Sequence, residues 1–466
     1  MMRKTRKTAA KLTAAAMALI LLAGCRTAQI SGQTEPAGTE NVTENVTAQT
    51  EMSGAEMSES GGQLSGAAEE ESVSETAETA VGSGGTAGEE VASVTGEGRF
   101  AGGEEELTQE QQEFILSFMD FYYQSLATLT PADPSGYFAP EAYTQAVGNE
   151  IVWDYQIELR AIQQTDLSLT HYSYELTVDS VEYQADGSLE IWIDEYSIQN
   201  FTAYPGVDSE CGSIYHHFVL EDTQDGPKLL EHVQWDSLYW QVMLPYFWEA
   251  APSPEAARQV FTERKDELIA QAENHLAMKA VQGQEGQAVQ ADHPYDREAA
   301  AAYALTWALD RNEDEWLDYS RSGGNCQNFV SQCLLAGGIP MDTTGGAVWK
   351  WYGRTPNNSA SASGRSASWT GVQGFLSYVQ NNEGGAGMAA TADAPFYEGQ
   401  VGDVIHMAYD DEDWRHAVII TDVMTDEEGN VVDYLICSNT ADQRNFPVSA
   451  YVYTRQILIQ IHGWND

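Results

Sequence analysis

The pattern of apolar and polar positions divides the chain near residue 107. Residues 26–106 are rich in Ser, Thr, Gly, Ala and Glu, and Phe100 is their only aromatic residue. A segment of this composition cannot bury enough apolar surface to offset the entropy lost on ordering. We therefore expect residues 26–106 to form a disordered, acidic tether that extends the reach of the rest of the chain.

Apolar residues recur at helical spacing from Leu107 onward, in "LTQEQQEFILSFMDFYYQSLATL" and again in "APEAYTQAVGNEIVWDYQIELRAIQ". An alternating pattern follows and predicts strands, with "ADG" and "QDGPK" as the turns between them. Helices followed by meandering strands predict an α+β domain over residues 107–250. The order of these elements resembles the cone-shaped fold of nuclear-transport-factor-like and SnoaL-like domains.

A long amphipathic pattern comes next, in "SPEAARQVFTERKDELIAQAENHLAMKAV". Ser253 is a suitable N-cap and Pro254 a suitable first-turn residue, so the pattern predicts a helix that begins there. A polar stretch follows the helix. We assign residues 251–292 to this helix and a linker, and residues 293–466 to the last domain.

The stretch "SRSGGNCQNFVSQCLLAGGIP" places Cys326 at the start of a helix in the last domain. Its glycines predict a tight turn, and the apolar residues that follow fall on one helical face. A helix N-terminus favours an anion, which predicts a lowered thiol pKa and a nucleophilic thiolate. The unpaired backbone N–H groups at the start of this helix could also form an oxyanion hole. The alternative is a buried structural cysteine.

A thiol nucleophile needs a base, and the stretch "VGDVIHMAYDDEDWRHAVIITDV" offers two histidines. His416 opens a predicted buried strand after a polar loop, so we expect its side chain to face a cleft. His406 lies inside the preceding strand pattern and is the less favoured alternative. Antiparallel pairing with the next strand would bring Asn439 beside His416, where its amide could fix the imidazole tautomer. Asp442 is a second candidate for that third position.

These motifs resemble those of the Putative amidase domain family of bacterial surface proteins. The resemblance lies in "YDREAAAAYALTWAL", "GGNCQNFVSQCLLAGGIPM", "SASWTGVQGFLSYV" and "GDV…HAVIITDV" and covers about residues 293–466. The family is similar to NlpC-type and CHAP-type cysteine amidases, which are papain-like in fold. The resemblance implies Cys326 as nucleophile, His416 as base, a polar orienting residue, and substrates with amide bonds in cell-wall peptides. Asn325 and Asn439 depart from the Asp and His that are frequent in the family.

The chain starts with "MMRKTRKTAAKLTAAAMALILLAGC", a basic segment, an apolar run and then small residues. The run is too short to span a bilayer and predicts an export signal over residues 1–25. Its last four residues resemble a bacterial lipobox, which implies that Cys25 is lipidated. We therefore expect a protein anchored to the cell membrane by lipid and exposed on its extracytoplasmic side.

Charge and cysteine spacing narrow the range of functions. The formal net charge is −49, with 71 acidic against 22 basic residues, which disfavours nucleic-acid binding. The five cysteines include no CxxC pair, so we expect neither a zinc site nor any other cofactor.

Together these features predict an α+β protein with a papain-like cysteine hydrolase domain, in which the helix that carries the cysteine packs on an antiparallel sheet. We expect it to cleave amide bonds, in peptidoglycan or another cell-wall substrate, through an acyl-thioester. The alternative is an inactive wall-binding or scaffold protein with the same fold.

Overall fold

The computed structural model describes residues 94–280, 289–344, 346–382, 385–409 and 413–466. The predicted signal peptide with Cys25, the predicted tether before Val94 and residues 281–288 of the predicted linker lie outside the described residues.

The described helices are α1 (Gln109–Thr128), α2 (Tyr143–Ala161), α3 (Ser237–Met243), α4 (Pro254–Lys279), α5 (Arg297–Trp307), α6 (Cys326–Ala336), α7 (Ala367–Thr370) and α8 (Val372–Asn381). The strands are β1 (Thr95–Gly102), β2 (Leu169–Tyr183), β3 (Leu189–Phe201), β4 (Ser209–Thr223), β5 (Gly226–Gln234), β6 (Trp351–Tyr352), β7 (Gly364–Arg365), β8 (Gly387–Ala394), β9 (Val404–Ala408), β10 (Trp414–Thr425), β11 (Val431–Ser438), β12 (Asp442–Pro447) and β13 (Arg455–Asn465). None of the helices within these ranges has the length and apolar composition needed to cross a bilayer.

Side-chain caps set the starts of α1 and α4, two of the helices that the apolar spacing predicts. The side chain of Thr108 accepts a hydrogen bond from the backbone of Gln111, and the Gln111 side chain accepts one from the backbone of Thr108. Ser253 caps α4 by accepting from the backbone of Ala256, and Pro254 is the first helical residue. Both predicted helices are confirmed.

In the described residues, eleven strands form one mixed sheet in the order β1-β2-β3-β4-β12-β11-β10-β9-β13-β8, with β5 paired to β4. Strands β1 and β2 are parallel. The hairpins β2–β3, β4–β5 and β10–β11 are antiparallel. Helices pack on this sheet, so the predicted α+β class is confirmed.

Strand β1 lies within the segment that the sequence predicted to be a tether. It pairs with β2 from Thr95 to Gly102. Gly96 and Gly98 allow this pairing, because a Cβ atom on either would lie 2.0 Å from the ring of Tyr172 or Tyr174. The tyrosine rings occupy the space that side chains of β1 would fill. A glycine-rich strand of this kind has no apolar alternation, and the sequence therefore gave no indication of it.

Strands β4 and β12 join the two halves of the sheet, although the sequence assigned them to separate domains. Asp442 pairs with Gly212 and Arg444 with Glu210. The Arg444 guanidinium also binds the Glu210 carboxylate, with Nη2 2.6 Å from Oε1. Residues 107–250 and 293–466 therefore share one sheet and, on one side of it, one apolar core.

Alternate residues of β10 contribute to two different apolar cores. Ala417 belongs to the smaller core together with Cys326 of α6. Its neighbour Val418 belongs to the larger core that includes α1, α2 and the strands β2–β5. Successive side chains of a strand point to opposite faces, so this alternation is expected. Helix α6 packs on the face of β10 to which Ala417 belongs.

Candidate active site

Two glycines turn the chain into α6. Gly323 and Gly324 have φ angles of 107° and 111°, a left-handed conformation that other residues rarely adopt. Asn325 follows, and its Oδ1 accepts a hydrogen bond from the backbone N–H of Tyr319 at 3.1 Å. Cys326 is therefore held as the first residue of α6, where the sequence placed it.

The Cys326 thiol is buried against β10. Its Sγ lies 4.0 Å from the carbonyl oxygen of Arg415. The backbone N–H groups of Ala417, Gln327 and Cys326 lower the thiol pKa, but burial has the larger effect and raises it above the usual value of 9.0. The expectation of a lowered thiol pKa is therefore wrong for this conformation, because desolvation destabilises the thiolate by more than the backbone N–H groups stabilise it.

His416 is the third residue of β10, since the strand begins at Trp414. The sequence placed it at the first position, facing a cleft, but the residue is only 5% exposed. Its Nε2 lies 3.4 Å from the hydroxyl oxygen of Tyr451, and its ring stacks on Tyr453 at an interplanar angle of 11°. Burial lowers the pKa of His416 to about 4, so the imidazole is neutral at pH 7.

The structure places the Cys326 thiol against the backbone of β10 on both sides of His416. Arg415 and Ala417, whose backbone groups contact the thiol, are the two chain neighbours of His416. Within the described residues, the thiol and the imidazole are not hydrogen-bonded to each other. Catalytic hydrogen bonds often form only when substrate is bound.

Asn439 does not contact the imidazole. Its Oδ1 accepts a hydrogen bond from Nδ2 of Asn325 at 3.0 Å. Its Nδ2 donates to the carbonyl oxygens of Trp307 and Ala308 at 3.0 and 2.6 Å. Asn439 thus links the end of α5 to the residue that precedes Cys326. The β10–β11 register explains the difference, because pairing ends at Ile419 and Cys437 and the strands separate before His416.

Asp442, the second candidate for the third position, also has other partners. Its carboxylate accepts hydrogen bonds from Arg311, from the backbone of Thr440 and from Ser213, each at 2.8 Å. These contacts hold the loop between β11 and β12. Ser213 belongs to β4, so residues outside the predicted hydrolase domain help to fix this loop.

His406, the alternative base, is fully buried beside α6. Its Nε2 lies 3.0 Å from Oε1 of Gln327, and burial lowers its pKa to about 3. Its Nδ1 has no hydrogen-bond partner among the described residues. His406 contacts the residue after the nucleophile candidate and not the thiol itself.

Tyr451 is the residue at this site that the sequence analysis missed. It lies shortly before β13, far along the chain from His416, and reaches the imidazole because β13 pairs with β9 beside β10. The local sequence "AYVYT" contains two tyrosines but no motif that marks either of them as part of a functional site. No spacing rule predicts which of its two tyrosines meets the histidine.

A small, partly open hollow lies beside the site. Its lining includes Asn325 and Asn439 but neither Cys326 nor His416, so it is not where a reacting carbonyl would sit. Within the described ranges, no group of three or more His, Cys, Asp or Glu side chains is arranged to hold a metal ion.

The comparisons with known proteins concern this same part of the chain. Residues 294–462 match the model of a family described as "Putative amidase domain". The resemblance inferred from the motifs is confirmed. The match suggests amidase activity and hence a hydrolase, and both Cys326 and His416 lie within the matched residues.

The chain is also similar to the uncharacterized protein YhbB of Bacillus subtilis (strain 168). It is 32% identical over 151 residues, which are 32% of this chain and 43% of the relative. The chain therefore covers less than half the length of the relative. No solved structure matches the chain.

Proposed function

We propose that this protein is a cysteine amidase or peptidase that hydrolyses amide bonds in peptidoglycan or another cell-wall substrate. The observation that carries the proposal is the position of the Cys326 thiol. It lies at the first residue of α6, against the backbone on both sides of a neutral, buried His416. That constellation falls within the residues that match the amidase family.

The opposite pKa shifts of the two side chains define the first step. At pH 7 both the thiol and the imidazole are neutral, so His416 acts as a general base that takes the thiol proton during attack. The sulfur forms a bond to the substrate carbonyl carbon. The backbone N–H groups of Cys326 and Gln327 lie beside the sulfur and are suited to stabilise the oxyanion.

The later steps return the enzyme to its starting state. The protonated His416 gives its proton to the leaving amine, the carbon–nitrogen bond breaks, and an acyl-thioester forms on Cys326. A water molecule then attacks the thioester, with His416 again accepting a proton. The carbon–sulfur bond breaks and His416 returns the proton to the sulfur, which regenerates the thiol and releases a carboxylic acid that ionises at pH 7.

The fold supports the papain-like part of this proposal. Helix α6 packs against β10, so the helix that bears the cysteine lies on a mainly antiparallel sheet. Helices α1 and α2 pack beside the β2–β5 meander in the way that a nuclear-transport-factor-like domain would require. We propose both relationships on these element arrangements.

We also propose that the protein is held at the extracytoplasmic face of the membrane by lipid on Cys25. Support comes from the basic start, the apolar run and the sequence Leu22-Ala23-Gly24-Cys25. Fatty-acid labelling of expressed protein tests the proposal. Labelling that persisted in Cys25→Ser would contradict it.

The test of the enzymatic function is a digest of purified peptidoglycan with the complete chain, read by mass spectrometry. Cys326→Ala removes the nucleophile, and Cys333→Ala, in the same helix and fully buried, is the matched control. New fragments from the parent and Cys333→Ala, but not from Cys326→Ala, are expected, and their masses identify the bond. If neither parent nor control yields fragments while both sediment with the wall polymer, the inactive wall-binding alternative is favoured.

A further inference from the structure

A short chain of hydrogen bonds leads away from the His416 ring. Its Nε2 lies 3.4 Å from the Tyr451 hydroxyl oxygen, and that oxygen lies 3.0 Å from Oγ of Ser438. Ser438 in turn donates to the carbonyl oxygen of Ala441 at 2.8 Å. The side chains of His416, Tyr451 and Ser438 are all buried.

The direction of every bond in this chain follows from its last member. A carbonyl oxygen can only accept, so the single hydroxyl proton of Ser438 points to Ala441. Ser438 must then accept from Tyr451, whose only proton is thereby used. Tyr451 must accept from the imidazole, which places a proton on Nε2 of His416.

Because His416 is neutral at pH 7, its ring carries one proton in total. A proton on Nε2 leaves the lone pair on Nδ1. We propose that Tyr451, oriented by Ser438, is the positioning residue that holds His416 in this tautomer, so that Nδ1 is the base available to Cys326. The inference rests on the proposed function, and it gives Tyr451 the role that the sequence assigned to Asn439.

The surroundings of the imidazole allow this arrangement to persist across neutral pH. Burial raises the pKa of Tyr451 well above its usual value, so its hydroxyl stays protonated. The other titratable groups that interact with the ring are Tyr453 and His406. Arg415 is the neighbour of His416 in β10, and the Cys326 sulfur lies 4.0 Å from the Arg415 carbonyl oxygen. Burial keeps Tyr453, His406 and Cys326 in their neutral forms at pH 7.

Tyr453 provides a matched control. Its ring also stacks on His416, with centroids 5.8 Å apart. Its hydroxyl, however, lies 3.4 Å from Ser237 and is not part of the chain to Ser438. Tyr453→Phe and Tyr451→Phe therefore remove the same atom at similar places, but only the second removes the imidazole's acceptor.

The test is a two-bond ¹H–¹⁵N spectrum of the complete chain labelled with ¹⁵N-histidine, with His416 assigned through His416→Gln. The parent and Tyr453→Phe are expected to show the proton of His416 on Nε2. Tyr451→Phe is expected to show a mixture of tautomers. In Ser438→Ala the Tyr451 hydroxyl loses its acceptor and turns to donate to Nε2, so the proton is expected to move to Nδ1. A parent with the proton on Nδ1, or a tautomer unchanged in both Tyr451→Phe and Ser438→Ala, overturns the proposal.

A kinetic measurement separates this inference from the proposed function. On the bond identified in the digest, Tyr451→Phe is expected to lower kcat about ten- to thirtyfold with KM unchanged. Tyr453→Phe is expected to stay within about threefold of the parent, as a variant that keeps the oriented hydrogen bond. If the parent hydrolyses nothing, the proposed function fails, while the spectra still decide the tautomer. If the parent is active and Tyr451→Phe matches it, the positioning role fails alone.

Discussion

Burial moves the pKa values of Cys326 and His416 in opposite directions, and both shifts favour the neutral form. The thiol pKa is raised above 9.0, and the imidazole pKa is lowered to about 4. A thiolate–imidazolium pair requires the reverse order of pKa values. In the mechanism that we propose, proton transfer therefore accompanies attack on the substrate and does not precede it.

This order of pKa values predicts the pH dependence of thiol reactivity. Iodoacetamide reacts with the thiolate, so alkylation of Cys326 is expected to be slow between about pH 5 and 7 and to keep rising through about pH 9. Mass spectrometry of the peptide that contains Cys326 measures the rate, and Cys333, also buried, reports any unfolding. A plateau of fast alkylation in the acidic range would mean that the ion pair is present after all.

The lowered imidazole pKa also predicts the acidic side of the pH–activity profile of the proposed hydrolase. A protonated His416 cannot accept the thiol proton, so kcat/KM is expected to fall as pH drops through about 4. Above that value the base is available. An acid limb near the ordinary histidine pKa of 6.5 would contradict a desolvated imidazole.

Helix starts and strand patterns could be predicted from local sequence, whereas pairing details could not. The cap at Ser253 and the cysteine at the start of α6 follow from residue types at fixed offsets. The role assigned to Asn439 depended on where the β10–β11 ladder ends, which is a tertiary property. Strand β1 depends on tyrosines of β2 that replace its missing side chains, and no local pattern records that.

The position of Asn439 predicts a structural role between elements. Asn439→Ala leaves the carbonyl groups of Trp307 and Ala308 and the amide of Asn325 without their partner. We expect the free energy of unfolding in urea to fall by about 2 kcal/mol. The displaced start of α6 is expected to lower hydrolysis as well.

The His416 tautomer distinguishes this role from an orienting one. In Asn439→Ala the ¹⁵N-histidine spectrum is expected to keep the proton of His416 on Nε2, since the Tyr451 contact is untouched. A shift of that proton in a folded Asn439→Ala protein would restore Asn439 as the orienting residue.

At the scale of the whole molecule, the shared sheet changes the relationship between the two parts of the chain. Composition and element order separate residues 107–250 from residues 293–466. Neither property could reveal that β4 pairs with β12. The two strands are distant along the chain, and an alternating apolar pattern does not specify which other strand will pair with it.

The β4–β12 pairing predicts that residues 293–466 alone are not a competent hydrolase. Without β4, the edge of β12 is exposed and Asp442, which holds the loop after β11, loses its bond from Ser213. Deletion of residues 107–250 is expected to abolish cooperative urea unfolding and amide hydrolysis together. Glu210→Gln in the complete chain is the mild counterpart. It keeps the β4–β12 pairing and weakens the ion pair to Arg444 and the hydrogen bond from the Tyr196 hydroxyl, so a loss of about 1 kcal/mol and near-parent turnover are expected. A deletion protein that unfolds cooperatively and cleaves at the parent rate would show that the shared sheet does not support the site.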